Sequence, residues 1–238
     1  MPGNVNTTLE TGELACAITA GDLPGKVMIT TRRAGDLRPG IRGTAARRAS
    51  VVPGGAWRWT RQVHGAVVVT AEHAGDAGDG LIGRAAGARP AMFAADCALL
   101  GILSPQGIVG VAHAGWHGLC AGVIEETARA MRSFGATTLS AVRGPCIGPE
   151  CYEFSPDDLD SVAREYGPAV RGETSVGRPA LDLAAGVRAA CDRAEIELVH
   201  EVCSCTACAR TASGEPTWFS HRARRDPGRH GLVIVERQ

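Results

Sequence analysis

The sequence predicts an α+β fold in which a compact mixed β-sheet packs against helices. Two continuous apolar runs, Pro90 to Ser104 and Ile108 to His113, flank the turn-forming stretch Ser104-Pro105-Gln106-Gly107, which indicates a buried β-hairpin. Helical and strand patterns mix along the rest of the chain, so crossover connections are expected beside hairpins. Because 238 residues with 45% apolar content can bury a full core, we expect a single domain spanning residues 1–238.

The first third of the chain carries weaker patterns. We expect a short strand at Val27 to Thr31 and a short basic helix at Arg38 to Ser50. The run from Trp57 to Thr70 alternates, breaks at His64-Gly65 and then becomes apolar, which predicts strand, break and strand. The glycine-rich stretch from Gly75 to Gly87 predicts a loop.

The hairpin leads to a prediction about two reactive side chains, Cys97 and His113. Successive residues of a strand point to opposite faces, so these two share a face only if the hairpin loop has an odd number of residues. Pro105-Gln106-Gly107, with Gly107 in the left-handed conformation, is such a loop. A loop of two or four residues would place them on opposite faces unless a bulge intervened.

The second half of the chain has the clearer signals. Gly118 to Phe134 has an apolar face and is followed by Gly135, so it predicts a helix. A second helix is expected from the N-cap Ser155 to about Tyr166, with proline at its first position and an acidic first turn. The remaining expected elements are the strand Leu139 to Val142, the helix Ala180 to Ala194 and the strands Glu197 to Val202 and Gly231 to Glu236.

Charge and composition narrow the function. The 25 acidic and 25 basic side chains balance, which argues against nucleic acid or a membrane surface as partner and favours a small molecule. No apolar run approaches the roughly 18 residues of a membrane span, and the polar stretch Met1 to Leu14 does not resemble an export signal. Nine scattered cysteines are unlike a secreted disulfide framework. We therefore expect a cytoplasmic protein with reduced thiols, either monomer or homodimer.

Three short motifs place two imidazoles and one thiol at the ends of apolar runs. They are Gln62-Val63-His64-Gly65, Ala95-Asp96-Cys97 and His113-Ala114-Gly115-Trp116. Two histidines and a cysteine suit a catalytic zinc ion with a fourth position open to water, a centre suited to deamination or hydrolysis. The ordinary alternative is a turn histidine, a buried thiol and a histidine bonded to backbone, and the spacing of the three residues matches no short zinc signature.

Other polar residues have two interpretations each. Asp96 could orient an imidazole or contact substrate, and Asp79 in Gly78-Asp79-Gly80 could do the same, although both also suit turns. Cys203, Cys205 and Cys208 are three thiols where a structural metal needs four ligands; His200 or His221 could complete the set, but free thiols are the simpler interpretation. The segment 219–226 concentrates arginines beside aromatic residues, as an anion clamp or as a solvated turn.

The motifs together, in this order, resemble the laccase-domain family, also called YfiH-like. The resemblance covers roughly Trp57 to the C-terminus and also rests on Gly144-Pro145-Cys146-Ile147-Gly148-Pro149, Cys205-Thr206 and Phe219-Ser220-His221-Arg222. Members are described as zinc-dependent purine nucleoside phosphorylases with adenosine deaminase activity and, in some bacteria, as peptidoglycan editing factors. The resemblance implies a YfiH-like α/β/α arrangement.

The resemblance also implies roles for individual residues. His64, Cys97 and His113 become the metal-binding catalytic triad, with Zn²⁺ as the cofactor and copper less favoured. Apart from the resemblance, deamination needs a group that carries a proton, and Asp96 is our candidate for that catalytic role. The implied contacts to nucleoside and phosphate are Arg32, Gln62, Arg222 and Arg225.

Three departures from the family pattern affect substrate choice. The residue after Trp116 is His117 where the family usually has arginine, and the stretch from Gly35 to Trp57 is shorter than usual. Ala223 and Arg224 also intervene before Arg225-Asp226 in the last motif. The metal triad is unaffected.

Four functions follow in order of preference. The first is phosphorolysis of purine nucleosides together with adenosine deamination. The second is a peptidoglycan-precursor amidase that uses the same centre, or Cys97 as a nucleophile with histidine as base. The third is a copper polyphenol oxidase, disfavoured because seven histidines with no His-x-His pair are too few for multicopper centres. The last is a binding protein that holds metal without turnover.

Overall fold

The computed structural model describes residues 7–87 and 89–237, so the first six residues of the polar N-terminal stretch lie outside the described part. Within these residues the strands are β1 (Thr7–Thr11), β2 (Ala15–Ala20), β3 (Gly25–Thr30), β4 (Trp57–Arg58), β5 (Val68–Thr70), β6 (Gly80–Arg84), β7 (Arg89–Ala94), β8 (Ala98–Leu103), β9 (Ile108–Ala114), β10 (Leu139–Arg143), β11 (Arg171–Glu173), β12 (Pro179–Leu181), β13 (Ile196–Glu201) and β14 (His230–Glu236). The helices are α1 (Thr44–Val51), α2 (Trp116–Cys120), α3 (Val123–Ser133), α4 (Pro156–Tyr166), α5 (Leu183–Arg193) and α6 (His221–Arg224). None of the described helices is long and apolar enough to cross a membrane.

The strands form two large sheets of mixed direction, which confirms the α+β class. The first sheet has the order β1-β2-β3-β14-β7-β4 and the second β13-β10-β8-β9-β6-β5, while β11 and β12 pair separately. Most neighbours are antiparallel; β4 runs parallel to β7, β5 to β6 and β10 to β13. Where the sequence indicated one sheet, the structure therefore has two.

Three apolar clusters show how the layers stack. One lies between the two sheets and includes Ile29 of β3 and Leu99 of β8. A second lies between the other face of the second sheet and helices α2 to α5, and a third lies where the segment around α1 covers the first sheet. The expected arrangement of helices outside and sheet inside holds, with a doubled central layer.

The hairpin of β8 and β9 follows the sequence prediction. Leu103 pairs with Val109 and Leu99 with His113, which leaves Pro105-Gln106-Gly107 as the loop between the paired Ser104 and Ile108. Gly107 has a φ of 73°, as the three-residue loop requires. Cys97, two residues before Leu99, therefore lies on the same face as His113.

Several other predicted elements are confirmed. The strands at Val27 to Thr31, Leu139 to Val142, Glu197 to Val202 and Gly231 to Glu236 correspond to β3, β10, β13 and β14, and the interrupted run Trp57 to Thr70 to β4 and β5. Ser155 caps α4 as expected, since its hydroxyl accepts the N–H of Asp158 at 3.2 Å. The basic helix expected at Arg38 to Ser50 is shorter, beginning at Thr44.

Four expectations were wrong in detail. The loop predicted for Gly75 to Gly87 contains β6, whose Gly80 lies too close to Thr127 and Val68 for a side chain. Pro90 to Ser104 divides into β7 and β8 in different sheets, because the chain turns at Asp96. Gly118 to Phe134 is two helices, separated by Gly122 with a φ of 84°. Ala180 to Ala194 begins in β12, and α5 starts only after its N-cap Asp182.

Candidate metal centre and its cavity

The two imidazoles and the thiol singled out from the sequence lie together. His64 is in the loop between β4 and β5, Cys97 in the turn between β7 and β8, and His113 near the end of β9. One ligand atom from each lies within 4.8 Å of the others, and His64 Nε2 is 4.0 Å from the Sγ of Cys97. Their exposure increases from buried His113 through Cys97 to His64, so the group opens towards solvent on one side.

A buried carboxylate organises this group. Asp79 Oδ1 lies 2.8 Å from Nδ1 of His113 and accepts the backbone N–H of His64, while Oδ2 accepts the N–H groups of Val63 and Gly65. One side chain therefore fixes the His113 ring and the backbone that presents His64, which has a φ of 60°. Since Nδ1 of His113 is occupied, Nε2 is left as its metal-binding atom.

The glycine after the third motif keeps the space between the ligands open. A Cβ at Gly115 would lie 2.9 Å from Cys97 Sγ and 3.1 Å from His64 Cδ2. The backbone of Gly115 is extended, with a φ of −72°, so it is side-chain bulk and not backbone strain that excludes other residues here. Glycine is therefore required at this position of His113-Ala114-Gly115-Trp116, because any side chain would crowd the Cys97 and His64 side chains.

The electrostatics of the group favour a metal-binding thiolate. Burial raises the pKa of Cys97, but the neighbouring His113 and His64 outweigh burial and bring this pKa down to about 6. Burial lowers the pKa of His113, but the Cys97 and Asp79 anions outweigh it and raise this pKa to about 9. Hydrogen bonds from His113 and from backbone amides hold the pKa of Asp79 below its ordinary value against the effect of burial.

The donor set fits a metal ion on these observations. Two imidazoles and a thiolate are common zinc ligands. The carboxylate of Asp79 orients the ring of His113, and Gly115 leaves room between the ligands. The same set of ligands is also found in mononuclear copper sites. His64, Cys97 and His113 therefore form a candidate metal site whose geometry does not by itself select the metal.

The group opens into a cavity of about 810 Å³. Its lining joins the three ligands to Gln62, Asp96 and Arg222 from the predicted set, and to residues that include Arg38, Phe93, Tyr152 and Arg229. The volume is within the range of small-molecule sites, and the wall offers both cationic and aromatic groups.

Asp96 and Gln62 line this cavity but are also bonded to the protein. Asp96 Oδ1 accepts the hydroxyl of Thr206 at 2.6 Å, and Oδ2 accepts the backbone N–H of Arg222 at 2.7 Å. The Gln62 amide bonds to both the carbonyl and the N–H of Phe93. Gln62 thus links the first motif to β7, and each oxygen of Asp96 accepts one of these hydrogen bonds and keeps a further lone pair.

The predicted arginines fall into two groups. The Arg222 guanidinium lines the cavity 5.0 Å from the centre of the Tyr152 ring. Arg32 instead forms an ion pair with Asp226 at 2.6 Å and packs against Phe219, and Arg225 is an exposed residue beside His221. Neither Arg32 nor Arg225 is among the residues that line the cavity.

The cavity residues that were not identified from the sequence include Arg38, Arg229 and Tyr152. Arg38 is paired with Asp36, whereas the ion pairs of the described residues include neither Arg222 nor Arg229. No local pattern marks these three, since they reach the cavity from separate loops. His117, the departure noted in the third motif, is exposed and stacks on Trp116 outside the lining.

The fold and the site together define a two-sheet α+β protein with a candidate metal-dependent active site. Comparisons with known proteins identify its family. Residues 33–237 match the family described as "Multi-copper polyphenol oxidoreductase laccase". A protein of Streptomyces coelicolor named purine nucleoside phosphorylase is 33% identical over 179 residues, 72% of this chain and 71% of its own. One of the same name from Streptomyces griseus is 32% identical over 227 residues, 92% and 85% of the two chains.

The fold has a solved counterpart in YfiH of Bacillus licheniformis. That structure superposes with a TM-score of 0.80 at 21% identity and covers 96% of this chain and 99% of its own. The chain belongs to the laccase-domain family. The family match begins at residue 33, upstream of Trp57, and so includes the shortened stretch before that tryptophan.

Proposed function

We propose that this protein is a zinc-dependent enzyme that cleaves purine nucleosides with phosphate and deaminates adenosine at the same site. The observation that carries the proposal is the shared cavity, in which Arg222 and Arg229 lie with the candidate metal ligands and have no carboxylate partner within 4.0 Å among the described residues. Arg229 donates through Nη1 to the backbone carbonyls of residues 226–228, and Arg222 to that of Glu153, so the charge of neither guanidinium group is balanced by a carboxylate. Such groups are suited to a phosphate ion. The names of the relatives agree with this substrate class.

The remaining lining suits the nucleoside. Phe93 and Tyr152 offer aromatic surface for a purine base, and the cavity volume of about 810 Å³ accommodates a nucleoside beside phosphate. In phosphorolysis a phosphate oxygen bonds to the anomeric carbon of ribose, and the bond from that carbon to the base nitrogen breaks. The two guanidinium groups would hold monohydrogen phosphate for that attack, and the proton of this phosphate would pass to the leaving base.

His64, Cys97 and His113 would hold the zinc ion, with Asp79 fixing the orientation of His113. Bound there, zinc supplies a Lewis acid that lowers the pKa of water. For deamination, water adds at C6 of adenine and ammonia leaves, so a proton must move from the water to the leaving nitrogen. Asp96 is the proposed carrier, because it lines the cavity and keeps a free lone pair on each oxygen.

One observation favours a second candidate, the peptidoglycan-precursor amidase. A thiol with a pKa of about 6 between two imidazoles is also the arrangement of a cysteine nucleophile with its base. This function needs no metal and predicts release of an amino acid from a muramyl dipeptide.

Product analysis by mass spectrometry tests the proposal. Purified protein loaded with zinc is incubated with adenosine, with and without phosphate, beside Cys97→Ser and the control Cys120→Ser, which alters an exposed thiol. We expect inosine in both mixtures, and adenine with ribose 1-phosphate only when phosphate is present; Cys97→Ser should form neither. Full turnover by Cys97→Ser, or no product from the parent protein, contradicts the proposal.

The same preparation distinguishes the metal and the alternatives. Loading with copper in place of zinc and assaying a phenol tests the polyphenol oxidase, and muramyl dipeptide tests the amidase. Activity on the phenol with copper, but none on adenosine with zinc, would replace the proposed function.

A further inference from the structure

A second group of potential metal ligands lies away from the candidate active site. One ligand atom each from Glu150, Cys151, Cys205 and Cys208 lies within 4.8 Å of the others. One interpretation of the sequence is a metal site formed by Cys203, Cys205 and Cys208 with His200 or His221. In the structure Cys203 and both histidines stand outside the group, and the loop after β10 supplies the missing ligands.

The backbone brings the two halves of this group together. Cys205 forms a parallel bridge with Cys146, and the N–H of Thr206 donates to the carbonyl of Cys146 at 3.1 Å. Glu150 and Cys151 follow closely in the short helical turn Pro149–Cys151. Since β10 and β13 are neighbouring parallel strands, the loops that leave them carry the four side chains to one place.

The surroundings of Cys205 resemble those of a metal-bound thiolate. Its Sγ accepts the backbone N–H of Gly148 at 3.2 Å, and the nearby amides of Ala207 and Cys208 in the Cys-x-x-Cys turn act to lower its pKa against the larger effect of burial. Backbone N–H groups close to a sulfur favour its anionic form. A neutral thiol, which is a weak acceptor, gains little from such an arrangement.

The carboxylate of Glu150 lies among the three thiols without an ion-pair partner. Cys208 Sγ lies 3.4 Å from Oε1 of Glu150, and the ion pairs of the described residues do not include Glu150. Burial raises the pKa of Cys205 to about 11, and burial also raises the pKa values of Cys151 and Cys208. A divalent ion would displace the three thiol protons, bind the sulfurs as thiolates and offset half of the negative charge that results.

We propose that Glu150, Cys151, Cys205 and Cys208 form a second, structural zinc site. Three thiolates and one carboxylate make a closed tetrahedral set, and zinc is the divalent ion that such sulfur-rich tetrahedral sites select. Tetrahedral geometry with zinc–sulfur bonds of about 2.3 Å places the sulfurs about 3.8 Å apart, so small side-chain rotations within the 4.8 Å group complete it.

The proposed zinc site would stabilise the part of the active-site cavity that contains Asp96. Ile147 donates its N–H to the carbonyl of Asp96 at 2.9 Å, and Thr206 donates its hydroxyl to the carboxylate of Asp96. These two residues belong to the loops that the zinc ion would join. The proposed ion therefore holds the loops that position Asp96, without contacting substrate.

Zinc counting in a variant that lacks the first site tests this proposal. Cys97→Ser protein is expressed with zinc under reducing conditions, desalted and analysed for metal per chain. We expect one zinc per chain in Cys97→Ser and in Cys97→Ser/Cys203→Ser, the matched control, and none in Cys97→Ser/Cys208→Ser. No zinc in Cys97→Ser, or equal zinc in all three, overturns the proposal. Cys97→Ser lacks one proposed ligand of the first site, and the experiment counts zinc without measuring activity. The zinc content therefore does not depend on the proposed catalytic function.

Three further measurements test the site when a variant fails to fold, and test whether the thiols form a disulfide instead. Removing zinc from Cys97→Ser with a chelator should lower its Tm by about 5 °C or more, with recovery when zinc is returned. Cobalt loading should give the visible and thiolate charge-transfer bands of tetrahedral sulfur coordination. A disulfide between Cys205 and Cys208, found by alkylation and mass spectrometry in metal-free protein purified with reductant, would overturn the site.

Discussion

Oδ1 of Asp79 lies 2.8 Å from Nδ1 of His113, and both side chains are buried. The same carboxylate accepts three backbone N–H groups from residues 63–65, so it links the loop of one proposed ligand to the ring of another. A single acid thereby determines the separation of His64 and His113. This relationship makes Asp79 a positioning residue for the candidate metal site, which leads to the first prediction.

Asp79→Asn should weaken zinc binding at the candidate active site by about 10- to 100-fold. The amide keeps the size of the carboxylate but loses its charge, and its NH₂ group faces a backbone N–H that it cannot satisfy. The measurement is competitive zinc titration in a background with Cys208→Ser, so that only one site is counted. Asp76→Asn, an exposed acid three residues earlier, is the control and should bind zinc as the parent does. Unchanged affinity in Asp79→Asn would remove the positioning role.

Gly115→Ala should reduce zinc binding at the candidate active site at least tenfold while the protein stays folded. The new methyl group would lie 2.9 Å from Cys97 Sγ, and the φ of −72° accepts alanine without strain, so the effect comes from displaced ligands. Gly65→Ala is the matched control, since its Cβ would meet no heavy atom closer than 3.8 Å. Zinc titration with circular dichroism checks both variants. Equal affinities in the two alanine variants would show that the close approach does not matter.

Arg222→Ala should raise the KM for phosphate by about 10- to 100-fold in nucleoside cleavage. A hydrogen bond between a guanidinium group and an anion contributes about 1.5–3 kcal/mol, which corresponds to that range. The KM for the nucleoside should change less than threefold. The control Arg225→Asn replaces an exposed arginine outside the cavity lining with a residue that tolerates its φ of 53°. The KM for phosphate is measured from initial rates at varied phosphate concentration. A larger increase in this KM for Arg225→Asn than for Arg222→Ala would indicate that Arg225, and not Arg222, contacts phosphate.

The hairpin and the grouping of His64, Cys97 and His113 show what the sequence could reveal. The parity of a three-residue loop determines which side chains share a face, and this rule acts over fewer than 20 residues. The polar strand β1 escaped prediction because four of its five side chains are exposed, so it has no alternating pattern to detect. β6 also lacks an alternating pattern, but for another reason: it is a buried strand in which two of the five residues are glycines.

The partners of Asp79 and Cys151 could not be predicted, for a different reason. Asp79 meets His113 across the pairing of β6 with β9, and Cys151 meets Cys205 across the pairing of β10 with β13. Both contacts depend on strand order, which is a property of the whole fold. Gly78-Asp79-Gly80 did single out the acid, but a turn and a buried carboxylate between glycines have the same local sequence.

The buried histidine of β14 predicts a pH dependence of stability. His230 has no exposed surface, and neither ring nitrogen has a hydrogen-bond partner among the described residues. Burial lowers its pKa to about 4, so between about pH 4 and pH 6.5 the unfolded chain binds a proton that the folded chain does not. Stability from this residue is therefore complete above pH 6.5 and is lost as the pH falls towards 4. The loss at pH 5 is about 2 kcal/mol.

Urea unfolding of the metal-free protein at pH 8 and pH 5 measures this effect, with His230→Leu as the comparison. Leucine is close in volume to histidine and does not titrate. The parent should lose about 2 kcal/mol more than His230→Leu between the two pH values. The carboxylates of Asp79 and Asp226, whose pKa values are also lowered, contribute equally to both proteins and cancel in the difference. Identical pH dependence in the two proteins would mean that His230 gains a partner or water in the folded state.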